Sequence, residues 1–200
     1  MVRTLSERKP IKRGRSAPTK EKSERKRRAI VKNPPLGKYA TLAVEAGAVD
    51  AMLIATDSVV TAQWVRLKCQ FGCGGFGQSL TCPPFSPTPE KTALLLREYR
   101  TALLVHSDGL AEVTAMVADL ERRAFLDGYY KAFALGAGPC ESCRTCPPQK
   151  GGCRHPDEAR PAMEACGIDV YQTARNNGLP IEVVTDASCK QDYYGLLLLE

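Results

Sequence analysis

Four cysteines lie within fourteen residues in the second half of the chain, at a spacing that suits a metal centre. Two residues separate Cys140 from Cys143 and Cys143 from Cys146, and six residues separate Cys146 from Cys153. A two-residue spacing lets successive thiolates turn inward on one tight loop, which is how a polypeptide holds a metal ion or an iron–sulfur cluster. The sequence therefore predicts that Cys140, Cys143, Cys146 and Cys153 bind one metal centre.

The pattern favours a [4Fe–4S] cluster, with zinc as the alternative. Three cysteines in succession at two-residue spacing are typical of cluster-binding loops, whereas all-cysteine zinc sites usually present separate Cys-x2-Cys pairs. Glycines at 136, 138, 151 and 152 permit close approach of backbone N–H groups to cluster sulfides. Basic side chains in the loop offset the charge of several thiolates, and these are Arg144, Lys150 and Arg154.

A second group of cysteines, Cys69, Cys73 and Cys82, lies upstream in a glycine-rich segment. Three thiolates suit a second cluster with one open iron, or a site whose fourth ligand comes from elsewhere. The candidates for that ligand are Cys189, Cys166 and His155. In some ferredoxins the fourth cysteine of the run is followed by proline and ligates a different cluster. Because Cys82 and Cys146 are each followed by proline, the division of ligands between the two regions stays open. Packed free thiols are the alternative for this group.

Three other residues with reactive or polar side chains are better explained by structure than by chemistry. Cys166 lies beside Ala162 and Met163 in a short apolar segment, which favours a core thiol. His106 ends an apolar run and is predicted to be a hydrogen-bonded core histidine. Asp169 stands three residues before Gln172, the spacing of a helix capping box.

Composition restricts the class of protein. No apolar run approaches the ~20 residues that span a bilayer, and the N-terminal residues form no apolar signal segment. We therefore expect a soluble cytoplasmic protein without membrane contact, in which nine cysteines indicate metal or redox chemistry before disulfides.

Charge is distributed unevenly along the chain. Residues 1–32 hold thirteen Lys or Arg against three Glu, a net of +10, so the remaining residues carry +6 minus +10, or −4. A segment so basic and so poor in apolar residues is predicted to be disordered. Residues 1–37 are therefore predicted to be a disordered basic tail, and residues 38–200 a cysteine-rich metal-binding domain. Residues 1–32 suit contact with nucleic acid, and a solubilising extension is the alternative.

Both helices and strands are expected around the cysteines. Helices are predicted from Tyr39 to Gly47, from Thr88 to about Tyr99, over 113–124, over 161–166 and from Asp169 to Gly178. Strands are predicted over 49–55, 101–106, 129–135, 181–185 and 196–199. Residues 64–67 are expected to be ordered, of unassigned type. The alternation predicts an α/β fold in which a mixed sheet is flanked by helices and carries a cysteine-rich loop region.

Several longer motifs resemble a family of uncharacterised prokaryotic proteins described as predicted metal-binding proteins. The resemblance covers roughly residues 38–200 and excludes the basic tail. The motifs that carry it are Val65–Cys73, Thr81–Pro87, Gly136–Cys140, Cys153–Pro161 and Met163–Val170. It implies a metal centre held by cysteines and no particular reaction.

The sequence favours an iron–sulfur protein that carries electrons for, or gives redox support to, a partner protein. No phosphate-binding loop, zinc-protease helix or nucleophile elbow is present, and Phe76 interrupts the Cys-x3-Cys-x2-Cys spacing of radical S-adenosylmethionine enzymes. Two alternatives stay open. One is an enzyme whose three-cysteine cluster binds substrate at an open iron, and the other is a zinc-binding module whose basic tail contacts nucleic acid.

Overall fold

The computed structural model describes residues 33–146, 151–186 and 188–200. The predicted disordered tail and its contact with nucleic acid fall on residues 1–32, outside the described residues, as does Lys150 of the cysteine loop. In the part that is described, no helix is both long enough and apolar enough to cross a membrane.

Helices and strands alternate along most of the described chain. They are α1 (Gly37–Glu45), β1 (Asp50–Ala55), α2 (Gln63–Gly72), α3 (Pro89–Leu96), β2 (Thr101–Ser107), α4 (Leu110–Leu126), β3 (Phe133–Leu135), α5 (Val170–Asn176) and β4 (Tyr193–Leu198). Short 3-10 turns lie at Thr56–Ser58 and Glu164–Cys166. Residues 64–67, left unassigned by the sequence, belong to α2.

Capping residues start two helices as the sequence predicts. The Thr88 hydroxyl accepts a hydrogen bond from the Lys91 N–H at 3.4 Å, with Pro89 as the first residue of α3. The Asp169 carboxylate accepts from the Gln172 N–H at 2.9 Å. Each oxygen satisfies a backbone N–H that has no carbonyl partner in the first helical turn.

The sheet has the order β1-β2-β4-β3, and all of its described pairings are antiparallel. Strands β2 and β3 run in the same direction and are joined through α4, as in a parallel crossover. Because β4 is inserted between them, the arrangement is a split β-α-β unit. The α/β fold is confirmed, and the insertion explains why a sheet expected to be mixed has only antiparallel neighbours.

The two central strands of the sheet, β2 and β4, are buried on both faces. Alternate residues of β2 and β4 point to opposite sides. Leu103 and Leu197 pack under α1 and α4, and Leu104 and Leu196 face the layer formed by α3, the 164–166 turn and α5. Burial on both sides explains why the central strands are nearly continuous apolar runs.

Two predicted strands need correction. Residues 181–185 form no strand, because only Ile181 is buried in the core while Val183 and Val184 are exposed and pair with no neighbouring strand. In the predicted strand 129–135 only Phe133–Leu135 pairs, with β4. Tyr129–Ala132 instead forms a turn after α4, and the Tyr129 hydroxyl donates to the Pro34 carbonyl at 2.6 Å.

His106 lies in the core, as predicted. Its ring is 1 % exposed, lies 2.8 Å from a carboxylate oxygen of Asp192 and stacks on Tyr194 with ring centroids 4.8 Å apart. The histidine therefore joins the ends of β2 and β4 and is not a metal ligand of either cysteine group.

Gly195 gives a stability prediction, because α4 lies directly over β4 at this residue. A Cβ built there would stand 2.7 Å from a methyl of Val113 and 2.8 Å from one of Val117. Because β-branched side chains have few alternative rotamers, Gly195→Ala is expected to lower the free energy of unfolding by about 1–3 kcal/mol in urea titration. The control is Gly37→Ala, where an added Cβ meets nothing within 4 Å. An equally small effect of both substitutions would contradict the packing.

Candidate metal centre

The loop that carries Cys140, Cys143, Cys146 and Cys153 starts where β3 ends, and it is closed at its base. The Gly136 N–H donates to the Pro161 carbonyl at 2.8 Å, and the Met163 N–H donates to the Gly136 carbonyl at 2.9 Å. These two hydrogen bonds join the beginning of the loop to its end. Backbone hydrogen bonds therefore close the base of the loop where β3 ends, and they do not depend on which side chains these residues carry.

Helix α4 holds both ends of the loop through side chains. The Thr114 hydroxyl donates to the Ala137 carbonyl at 3.1 Å and accepts from the Ala137 N–H at 3.2 Å. At the other end, the Arg160 guanidinium forms two hydrogen bonds to the Glu121 carboxylate, at 2.6 and 2.7 Å. Glu121 also accepts from the Ala134 N–H of β3 at 2.7 Å, so one carboxylate ties helix, strand and loop together.

The four cysteines predicted as ligands line a single small cavity. Residues 79–81 and parts of 142–159 complete its wall. All four side chains are half-buried, and none of the nine cysteines of the chain forms a disulfide. The fold therefore brings together four free thiols that span fourteen positions of the sequence.

Hydrogen-bond donors and positive charge surround this cavity. The His155 N–H points to the Cys153 sulfur at 3.3 Å, whereas the Cys140 thiol itself donates to the Ser142 hydroxyl at 3.7 Å. The Arg154 guanidinium donates to the Thr145 carbonyl across the loop.

The second group is arranged around the end of α2. Cys69 lies on the last turns of this helix, Cys73 follows its final residue, and Cys82 lies in the glycine-rich loop beyond. Burial raises the pKa of Cys69, the charges of Cys73 and Cys82 raise it further, and Arg66 opposes them. The Gly75 N–H points to the Cys73 sulfur at 3.4 Å. Cys73 and Cys82 therefore lie close enough to Cys69 for their charges to act on it.

Arg66 holds this second group in place, a role that sequence reasoning missed. Its guanidinium donates to the Ala165 carbonyl at 2.7 Å, to the Ser86 hydroxyl at 3.0 Å and to the Pro87 carbonyl at 3.2 Å. It thereby links α2 to the segment after Cys82 and to the 164–166 turn. The available signal was its position three residues before Cys69, which places both on one helix face.

The two cysteine groups are neighbours. Ser79, Leu80 and Thr81, which precede Cys82 directly, form part of the wall of the cavity lined by Cys140 and Cys153. No three Cys, His, Asp or Glu side chains among the described residues lie close enough to hold a single metal ion. The thiols therefore surround a shared region of the protein without converging on one point.

The candidate fourth ligands differ in their surroundings. Cys166 is 1 % exposed, and burial raises its pKa to about 12, which confirms a core thiol. The Cys189 sulfur lies 3.4 Å from the Thr185 hydroxyl, and this hydrogen bond lowers its pKa. His155 lies on the other cysteine loop, with its ring 3.8 Å from the Glu158 carboxylate.

The raised pKa of Cys166 and the lowered pKa of Cys189 predict the order in which iodoacetamide alkylates these two thiols. In metal-free protein at pH 8, Cys189 is expected to react at least about a hundredfold faster than Cys166, because only the thiolate is nucleophilic. Raising the pH towards 12 should accelerate Cys166 and leave Cys189 nearly unchanged once that thiol is ionised. Peptide mass spectrometry over time measures both rates, and Cys189→Ser should remove the rapidly labelled peptide. Equal rates at pH 8 would contradict the burial of Cys166.

The fold and the clustered thiols define a cysteine-rich α/β protein with the sulfur donors of a metal-binding protein. The chain belongs to DUF2284, a family described as predicted metal-binding proteins, whose model matches residues 52–199. The resemblance inferred from the motifs is thus confirmed. No curated protein and no solved structure gives a significant match to the chain.

Proposed function

We propose that the protein binds a [4Fe–4S] cluster through Cys140, Cys143, Cys146 and Cys153 and transfers electrons to or from a partner protein. The observation that carries this proposal is the single cavity lined by all four cysteines. The fold and the family support metal binding, and the identity of the centre rests on the arguments that follow.

The donor set suits a cluster. Four thiolates complete the coordination of a four-iron cluster, and backbone N–H groups near the sulfurs tune it. The His155 N–H at 3.3 Å from the Cys153 sulfur is such a donor, and Arg154 lies in the same cavity wall.

Spacing along the chain supports a cluster over a single zinc ion, because three cysteines in succession at two-residue spacing are typical of cluster-binding loops. Four sulfurs on one tetrahedral zinc stand about 3.8 Å apart, because each Zn–S bond is about 2.3 Å long. A four-iron cluster takes each thiolate on a different iron, so its ligands are spread more widely.

The protein's own contribution is to hold and shield the thiolates. When bound, the cluster supplies one-electron redox chemistry. Glu121 and Arg160 fix the loop, Thr114 fixes its first turn, and Arg154 places positive charge beside the thiolates. A carrier needs these features and a docking surface, and it needs no substrate pocket.

The group formed by Cys69, Cys73 and Cys82 is proposed as a second centre. Its support is the proximity of Cys73 and Cys82 to Cys69 and the positive charge of Arg66, which a hydrogen bond to the Ala165 carbonyl holds in place. An enzyme that binds substrate at an open iron of this centre is the second candidate function. A change in the visible spectrum on adding substrate, lost in Cys73→Ser, would favour it.

The test is a visible spectrum with iron, sulfide and zinc analysis on anaerobically purified protein. A broad absorbance near roughly 400 nm with about four irons per chain is expected, and about eight if both groups are filled. Colourless protein with about one or two zincs per chain would overturn the cluster and favour a zinc-stabilised module. In that case, steeply salt-dependent binding of RNA or DNA, lost on deleting residues 1–32, would support the nucleic-acid alternative.

A further inference from the structure

A groove of about 1020 Å³ runs between α4 and the two ends of the main cysteine loop. One wall is the face of α4 from Leu110 to Phe125, and the opposite wall comprises residues 137–142 and 157–160. Cys140 lines this groove and also the cavity of the four cysteines. A molecule bound in the groove therefore lies beside one of the proposed cluster ligands.

Small apolar side chains line the middle of the groove. They are Leu110, Ala115, Ala118, Ala132, Ala137 and Pro139. Phe125 stands at the end of the groove nearest the C-terminus of α4, with 57 % of its side chain exposed. A lining of small residues admits an extended polypeptide segment, and an exposed aromatic ring is a common anchor at protein interfaces.

The rim of the groove is acidic. Four exposed carboxylates line it, Asp119, Glu141, Asp157 and Glu158, against one exposed cation, Arg122. Two of the four have a weak surface partner, Arg123 beside Asp119 at 2.6 Å and His155 beside Glu158 at 3.8 Å. Solvent screens such pairs strongly. Glu121 and Arg160 neutralise each other in the wall, so the rim keeps a net negative charge.

We propose that this groove docks a lysine- or arginine-rich segment of a partner protein, beside Cys140. That the partner is a redox protein rests on the proposed function, whereas the binding of a basic segment rests on the groove alone. Electron-transfer complexes are small and transient, and complementary charge brings the partners together quickly. An acidic rim beside the centre meets that requirement and selects for a basic docking face.

The test uses the full chain and a fluorescein-labelled dodecapeptide that alternates lysine and alanine, followed by fluorescence anisotropy. Wild-type protein is expected to bind it, with affinity falling at least about tenfold from 50 to 500 mM NaCl because the charges are exposed. The triple variant Glu141→Gln, Asp157→Asn, Glu158→Gln should bind at least about tenfold more weakly. The matched control neutralises three exposed carboxylates outside the groove lining, in Glu45→Gln, Asp57→Asn, Glu98→Gln.

Loss of affinity in the groove variant alone supports the proposal. No binding by the wild type, or equal loss in both triple variants, overturns it, since the second result would show only a general effect of net charge. Iron content is measured in the same preparations, so the cluster and the groove are judged separately. Peptide binding without iron would leave the groove supported and the redox partner rejected. Iron without peptide binding would reject the groove and leave the carrier supported.

Discussion

Replacing Cys140, Cys143 or Cys146 with serine is expected to remove nearly all of the visible absorbance of the anaerobically purified protein. Each serine removes one of four thiolates from the cavity they share. A serine hydroxyl stays protonated near neutral pH and is a harder ligand than a thiolate, so it replaces sulfur on iron poorly. Iron content should fall in parallel with absorbance, by about four atoms per chain if this loop holds one four-iron cluster.

Two controls separate loss of the centre from damage to the fold. Thr145→Ala alters an exposed side chain of the same loop that carries no thiol, and it should leave both iron and absorbance unchanged. Circular dichroism of the metal-free proteins should be the same for every variant, because the cysteines of the loop lie outside the apolar core. Full retention of colour in Cys143→Ser would falsify the ligand assignment.

Breaking the ion pair between Arg160 and Glu121 is expected to lower the free energy of unfolding more than breaking any other side-chain contact near the surface of the loop. The two side chains are 11 % and 14 % exposed, and Arg160→Met leaves the Glu121 carboxylate without its cation. Removing one partner of a largely buried pair costs about 3 kcal/mol. For a domain of this size that corresponds to a fall in melting temperature of roughly 6–12 °C. Thermal unfolding of metal-free protein isolates this effect from metal binding.

A nearby pair on the same helix provides the matched control. Asp119 and Arg123 stand 2.6 Å apart and are more than half exposed, so Arg123→Met should change stability by less than about 0.5 kcal/mol. The double variant Glu121→Leu, Arg160→Met should recover part of the loss, because neither charge is then left unpaired. Equal shifts for Arg160→Met and Arg123→Met would show that the Arg160 pair contributes no more than an ordinary surface contact.

Local signals in the sequence identified most helices and the central strands. Thr88 and Asp169 mark helix starts because each side chain accepts a hydrogen bond from the first turn of its own helix. The apolar run at 101–106 is buried, as its composition alone predicts. The strand predicted at residues 181–185 was wrong. A β-branched composition indicates a preference for extended backbone, but it does not indicate that a partner strand is present. The antiparallel sheet could not be predicted either, since it depends on where β4 inserts.

At the site, too, contacts between residues close in sequence could be predicted, and contacts between distant residues could not. The spacing of Cys140, Cys143 and Cys146 indicates a shared centre because neighbours in sequence are neighbours in space. The contact of Glu121 with Arg160 joins residues 39 positions apart. The insertion of residues 79–81 into the cavity wall joins segments about 60 positions apart. Nothing in local composition encodes such pairings, so the structure was needed to place them.

The central position of β4 has a consequence for biogenesis. This strand follows every cysteine in the sequence, yet it joins β2 to β3, and β3 anchors the main cysteine loop. During synthesis the thiols therefore emerge before the strand that fixes their loop to the rest of the sheet. Pairing between strands so distant in sequence is slow relative to local folding. The newly made chain is therefore expected to pass through a stage in which its thiols are exposed to oxidants, and this stage ends only when the sheet closes.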